Sequence, residues 1–306
     1  MSVEEHVWAV VGPTGSGKTA LAIELCERHQ GEIVSVDSAQ VFIGMDLGTA
    51  KPSPDEQARA THHLIDVIDP NTQWTAAAFA DAAEEAIEDI RRRGRRPILC
   101  GGAGLWYRAL TRGVFVAPEI DPEIRLRIRQ RLEALGSPAL HAELAKVDPD
   151  AAGRLHPNDR QRIGRALELY EQTGRPISEF QAEHGFAETR LPVRAVALQW
   201  ERSELYARLD DRAGQMYDAG LIDEVAGLLS AGAQPGGPGM KCIGYREAVD
   251  VVRGALEPAE ALERTRTATR RYAKRQLNWF RSEDVVQVPR EDAIQVAERV
   301  LQGETP

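Results

Sequence analysis

The stretch VWAVVGPTGSGKT at residues 7–19 decides the fold. Its first half, VWAVVG, is a short apolar run closed by glycine, the pattern of a strand buried on both faces in a parallel sheet. Its second half, Gly12-Pro13-Thr14-Gly15-Ser16-Gly17-Lys18-Thr19, fits G-x4-G-K-[ST] and leads into a helical pattern over residues 17–30. Strand, loop and helix in that order gather backbone N–H groups and a helix N-terminus into an anion cradle. Lys18 adds a point charge for the phosphates, and the Thr19 hydroxyl is suited to ligate Mg2+. The loop binds polyphosphates without naming them. Two classes therefore stay open on its evidence: an ATP-dependent kinase or NTPase, and a transferase that expels diphosphate.

Working outward, EIVSVD (32–37), HLIDVI (63–68) and PILC (97–100) read as further strands, with an alanine-rich helix over 75–93 stopped by Gly94. This alternation predicts a doubly wound α/β core, a P-loop NTPase-like parallel sheet. From 121 to 188 no strand is evident. Helices are predicted at 123–135, 139–146 and 160–173, which makes this region a helical insertion. RAVALQW (194–200) returns to strand, followed by helices at 204–219 and 223–229, a Gly/Pro-rich loop at 233–239, a long basic helix over 258–281 and an edge strand at 285–288. The domains are accordingly residues 1–118 (first part of the core), 119–190 (helical insertion) and 191–306 (core continuation with the basic helix).

The 306 residues are 42% apolar and 28% charged, an ordinary globular balance. Cys26, Cys100 and Cys242 share no metal-ligand spacing and fit reduced thiols. The acidic N-terminus and the short apolar run after it predict no signal and no membrane span, hence a soluble cytoplasmic protein; a monomer is expected. The net charge of -9 argues against nucleic acid as a partner. Against that, residues 264–281 hold Arg264, Arg266, Arg270, Arg271, Lys274, Arg275 and Arg281 with no acid, where a solvated face usually mixes signs.

Asp37 stands at the C-terminal end of the second strand, the edge that borders the ligand crevice in open α/β sheets. Position alone leaves two readings: a base acting on an acceptor, or a turn cap. His62 and His63 have no evident partner and read as structural.

Several blocks together carry a family resemblance. Residues 12–19, Val36-Asp37-Ser38-Ala39-Gln40 and MDLGTAKP (45–52) closely resemble the N-terminal signature of tRNA dimethylallyltransferases. GGAGL (101–105), LHPND (155–159), QRIGRALE (161–168), CIGYRE (242–247) and TRRYAKRQLNWFR (269–281) continue the match in the family's order over nearly the whole chain. The resemblance implies a P-loop fold whose insertion grips the tRNA anticodon stem-loop, and a loop that holds the diphosphate of dimethylallyl diphosphate rather than ATP. It implies transfer of the dimethylallyl group to N6 of the adenosine immediately 3′ of the anticodon, in tRNAs reading codons that begin with U. The family's catalytic aspartate falls on Asp37 and its loop threonine on Thr14. Its diphosphate arginine falls on Arg212, with Arg208 as the alternate. Its tRNA contacts fall on Asp37, Ser38, Ala39 and Gln40, on Gln161, Arg162, Ile163, Gly164 and Arg165, and on Lys241, Cys242, Ile243, Gly244, Tyr245 and Arg246. Single contacts fall near Ala103 and Arg125. Two positions depart: Ala103 stands where threonine is frequent, and Gly15 where alanine is usual.

The chemistry makes these residue types intelligible. An adenine amine is a poor nucleophile, so a carboxylate, here Asp37, must orient it and accept its proton. Charge growing on the departing diphosphate needs Lys18, Arg212, the loop N–H groups and a Mg2+ on Thr19. Arg162, Arg165 and the basic helix suit backbone phosphates; Gln40 or Gln161 suits base edges. The rival readings are a small-molecule P-loop kinase, with Asp66 as its metal-binding acid, and an isopentenyltransferase acting on AMP or ATP.

Overall fold

The protein is described by a computed structural model covering residues 6–113, 118–183 and 189–304. The chain divides into two units: Met1–Arg112 with Thr189–Pro306, and Gly113–Glu188.

The first unit opens with β1 (Val7–Val11), α1 (Lys18–His29), β2 (Gly31–Val36), α2 (Pro54–Arg59), β3 (His62–His63), α3 (Ala76–Arg92), β4 (Arg96–Gly101) and α4 (Gly104–Arg112). The second unit contributes α5 (Pro122–Leu135), α6 (Ser137–Val147), α7 (Pro149–Arg154), α8 (Arg160–Thr173) and α9 (Ile177–Glu183). The first unit then resumes with β5 (Val193–Leu198), α10 (Arg202–Asp218), α11 (Leu221–Ser230), α12 (Tyr245–Val252), α13 (Pro258–Phe280), β6 (Val286–Val288) and α14 (Ala293–Gln302).

The six strands form one parallel sheet in the order β3-β2-β4-β1-β5-β6. Every residue of β1 is buried, as its unbroken apolar run demands for a central strand covered on both faces. Trp8 and Val10 enter a core shared with Leu25, Ile33, Val196 and Leu301. The chain runs to one side of β1 for β2–β4 and to the other for β5 and β6. The crevice at such a reversal opens at the C-terminal strand ends, where the phosphate loop leaves β1.

One expected strand is corrected. Of HLIDVI only His63 pairs with β2, beside His62 just before it. Leu64 (φ 63°) and Asp66 (φ 52°) are left-handed, so the chain turns out of the ladder. Asp66 instead accepts from Lys51 Nζ at 2.5 Å and from the Gly44 amide at 3.2 Å. The short helices α2, α7 and α9, and the amphipathic α12 and α14, are additions to the sequence reading.

The second unit is all helical among its described residues. Asp121, Asp148 and Asp159 cap α5, α7 and α8 by accepting from backbone amides, and Pro122 and Pro149 open α5 and α7. Asp148, 1% exposed, also accepts from the Ser178 amide and so joins α7 to α9. Ile128, Leu132, Leu140, Leu144, Ile163 and Leu167 fill its core.

Glu32 lies buried in β2, where its carboxylate receives Arg93 at both oxygens and His63 Nε2 at 2.7 Å. These donors, Arg93 first, hold its pKa down to about 2 against 4.5. The resulting stability is fully present above the unfolded value and is lost as pH falls from about 4.5 through about 2. We expect Glu32→Gln to destabilise the protein near neutrality by about 1 kcal/mol, a figure reduced because Arg93 is partly solvated. Denaturant titrations over pH should show the gap from wild type closing on the acid side; a constant gap would remove the charge from the account.

Candidate active site

Gly12 (φ 135°), Gly15 (φ 75°) and Gly17 (φ 89°) take left-handed conformations that let the phosphate loop curl over the start of α1. Gly17 caps α1 with no side-chain bond, which leaves the first-turn amides open to an anion. The loop carbonyls are held elsewhere: Lys18 Nζ reaches Pro13 O at 3.4 Å, Arg208 Nε donates to Gly15 O at 2.8 Å, and Trp200 Nε1 donates to Ser16 O at 2.9 Å. Among the described residues the buried Ser16 hydroxyl has no hydrogen-bond partner. Burial lowers the Lys18 pKa; the nearby Cys100 and Asp37 oppose that shift. Gly15 is more than a tolerated departure from alanine, because a Cβ there would stand 2.6 Å from Leu209 Cδ2.

A cavity of about 360 Å³ lies beside the loop, entirely within the first unit. Thr14, Asp37 and Arg212 line it together. Arg212 Nη1 lies 3.4 Å from Thr14 Oγ1, and burial lowers its pKa while Asp37 opposes. Arg208 is engaged with Gly15 O and does not line the cavity, so the geometry separates the two arginine candidates. Asp37 takes part in a turn and also stands at the cavity. Its Oδ1 accepts from the Ala39 amide at 2.9 Å and the Gln40 amide at 3.4 Å, fixing a turn, while the residue borders the cavity.

Leu209, Ala213 and Met216 of α10, with Ile243, supply an apolar wall. Thr265, Thr269 and Tyr272 of α13 also line the cavity. The Tyr272 pKa is raised by burial and then by Asp37, which places its phenol in the field of that carboxylate. Burial, with Asp37, pushes the Cys242 thiol up to about 12. A much smaller recess, about 10 Å³, is bordered by Lys18, Thr19, Ser35, Asp37, Gln40 and Cys100. A second cavity of about 310 Å³, lined also by Phe42, Trp74 and Trp106, shares Ser38, Lys241 and Cys242 with the first.

The expected tRNA contacts divide. Ser38, Ala39, Lys241, Cys242, Ile243, Gly244 and Arg246 line the main cavity. Gln40 does not; its amide donates to Ala50 O and it borders the small recess. Ala103 is buried, its amide donating to Val36 O at 3.1 Å. Tyr245 is corrected to a structural anchor: fully buried, its hydroxyl donates to Glu224 at 2.5 Å and accepts from the Gly48 amide at 3.2 Å. In the second unit Arg125, Gln161 and Arg162 are exposed and Arg165 is partly so. Ile163 is corrected likewise, being fully buried, and Gly164 lets α8 approach Leu132 of α5. The basic helix is partly neutralised. Arg264 pairs with Glu260, Arg266 with Glu263 and Arg270 with Asp210, whereas Arg271, Lys274 and Arg275 are exposed. His62 and His63 serve structure, bonding Ala60 O and Glu32. Asp66, the kinase reading's metal ligand, is held by Lys51.

Sequence reasoning missed Leu209, Met216, Thr265, Thr269, Tyr272 and Gln276. Residues 265, 269, 272 and 276 recur at helical spacing and mark one face of α13; the basic residues drew attention to the other faces.

A family model described as IPP transferase matches residues 40–283, and one described as Isopentenyl transferase matches residues 5–72. The chain is 47% identical over 285 residues to tRNA dimethylallyltransferase 1 of Trichlorobacter lovleyi, covering 93% of each. It is 49% identical over 271 residues to tRNA dimethylallyltransferase 2 of Geotalea uraniireducens, covering 89% of this chain and 87% of that one. Among solved structures, the tRNA isopentenylpyrophosphate transferase of Bacillus halodurans aligns at 35% identity with a TM-score of 0.70, over 96% of this chain and 95% of that one. A eukaryotic dimethylallyltransferase acting on tRNA aligns at 27% identity with a TM-score of 0.79, over 98% of this chain and 80% of that one.

The different settings of the two arginines give distinct expectations. Arg212→Met should weaken binding of inorganic diphosphate by about tenfold or more, as loss of a desolvated charge contact does. Arg208→Met should lower the melting temperature and change that affinity less. Calorimetric titration of both variants decides; a larger affinity loss at Arg208 would reverse the assignment.

Proposed function

The chain belongs to the IPP transferase family, and from that premise we propose that its main cavity joins a dimethylallyl group to N6 of the adenosine immediately 3′ of the tRNA anticodon, in tRNAs reading codons that begin with U. The observation that carries this reading is the meeting of Asp37, Thr14 and Arg212 in one cavity beside the phosphate loop. The donor is dimethylallyl diphosphate and the products are N6-dimethylallyladenosine and diphosphate.

The N6–C1 bond forms as the C1–O bond to diphosphate breaks. The free edge of the Asp37 carboxylate orients the amine and accepts its proton, because Oδ1 is already committed to backbone amides. Loop amides, Lys18 and Arg212 meet the charge that develops on the leaving oxygen, and their burial strengthens those contacts. Leu209, Ala213, Met216 and Ile243 receive the prenyl tail and keep water from it.

Mg2+ fits this donor set as a partner of the diphosphate. Thr19 and Asp37 border the small recess, and among the described residues no cluster of three or more His, Cys, Asp or Glu could hold a metal alone. The ion would sit on Thr19 and draw its remaining ligands from the diphosphate and water, adding charge neutralisation there.

The helical unit grips the anticodon stem-loop through Arg125, Gln161, Arg162 and Arg165. Lys241 and Arg246 do so beside the cavity, with Arg271, Lys274 and Arg275 available on α13. No described helix is long and apolar enough to cross a membrane, and the three free cysteines suit a reducing cytoplasm where tRNA is found.

Purified protein with Mg2+ and dimethylallyl diphosphate should add a prenyl mass to an adenosine of unmodified tRNA and leave AMP unchanged. Gain on AMP alone would move the chain to the nucleotide-prenylating branch, and gain on neither would end this reading. Asp37→Ala should lower kcat by about 10²- to 10⁴-fold with tRNA affinity nearly unchanged; turnover at the wild-type rate would remove the base from Asp37.

A further inference from the structure

Gln276 is the one side chain that bridges the phosphate loop and the turn after β4 among the described residues. It is 5% exposed. Its Oε1 accepts from the Thr14 amide at 2.8 Å, and its Nε2 donates to Gly102 O at 2.8 Å. The fit leaves no slack: a Cβ on Gly102 would stand 2.3 Å from Gln276 Nε2 and 2.7 Å from Gly12 O. A neutral side chain with one fixed acceptor and one fixed donor is required here, and an amide combines them at this length without having to hold a proton.

Two consequences follow from this bridge. The Thr14 N–H is withdrawn from the set of loop amides that can face an anion, which fixes the Pro13–Thr14 peptide. The Thr14 side chain is thereby turned toward Arg212, whose Nη1 lies 3.4 Å from its hydroxyl. On the same face of α13, Tyr272 stands one turn before Gln276 and borders the cavity with Asp37, as do Thr269 and Thr265. One helix thus carries both the acceptor-side wall and the brace of the donor-side loop.

We propose that Gln276 is a positioning residue for the donor diphosphate: it sets the register of Thr14 and Arg212 against the cavity without touching the substrate. The inference rests on the transferase reading above, so its test includes a readout that needs no transfer. The probe is inorganic diphosphate, titrated calorimetrically into wild type, Gln276→Leu and Gln276→Glu, alongside KM for dimethylallyl diphosphate, kcat and melting temperature.

Gln276→Leu should weaken diphosphate and raise KM for the donor by about tenfold, with tRNA affinity within about twofold of wild type. In Gln276→Glu the protonated carboxyl reproduces both contacts, whereas the ionised form sets a negative charge against Gly102 O and near the diphosphate. The diphosphate affinity of Gln276→Glu, as a ratio to wild type at each pH, should therefore recover as pH falls from about 8.5 to about 6. Wild-type affinity in Gln276→Leu, or a ratio indifferent to pH in Gln276→Glu, would overturn the proposal. Wild type that binds diphosphate without transferring a prenyl group would overturn the transferase reading and leave this inference standing.

Discussion

A phosphate loop has to face its amides toward an anion, and so its carbonyls need holders on the outside. Here those holders come from far along the chain, Arg208 for Gly15 O and Trp200 for Ser16 O, while Gln276 takes up the one amide, that of Thr14, turned outward with them. The rest of the first unit is arranged around this requirement. Helix α10 must lie where Arg208 reaches the loop, and that same placement brings Arg212, one turn on, to the cavity. Helix α13 must lie where Gln276 reaches it, and that placement brings Tyr272 beside Asp37. The cavity walls are therefore a by-product of bracing the loop.

Electrostatics follow the same economy. The chain is acidic as a whole, yet around the loop Lys18 and Arg212 are both partly buried and desolvated, with Asp37 as a nearby carboxylate. Two desolvated cations with one anion leave the crevice poised for a polyanion, whatever the net charge. The run of seven basic residues along α13 and its C-terminal cap resolves in two parts. Its early members answer local acids, Glu260, Glu263 and Asp210, and its later ones, Arg271, Lys274 and Arg275, reach solvent.

Much of this was legible in the sequence where pattern and chemistry coincide. The apolar run into Gly12, the glycine-rich loop and the strand–helix alternation identify the core because both depend on local order. The helical insertion was legible from the absence of strand patterning. What could not be read was long-range: that Leu64 and Asp66 would turn left-handed because Lys51 claims the Asp66 carboxylate, or that Tyr245 would be spent on Glu224 and Gly48. A short motif carries residue types, but it does not say which side of a helix meets the core. Ile163 and Tyr245 sat in motif blocks and proved to be packing. Tyr272 and Gln276 sat among charges, yet one borders the cavity and the other braces the phosphate loop.

The turn after β4 has a consequence for how such a chain can vary. At Gly101 a methyl would fall 2.0 Å from Val36 O, at Gly102 2.3 Å from Gln276, and at Gly104 2.5 Å from Trp279. Only Ala103 carries a side chain in this segment. Drift in this turn is thus channelled into one slot. Neighbouring positions are closed by packing, so any lineage-to-lineage tuning of the turn has to be written at residue 103, with the fold itself acting as the filter.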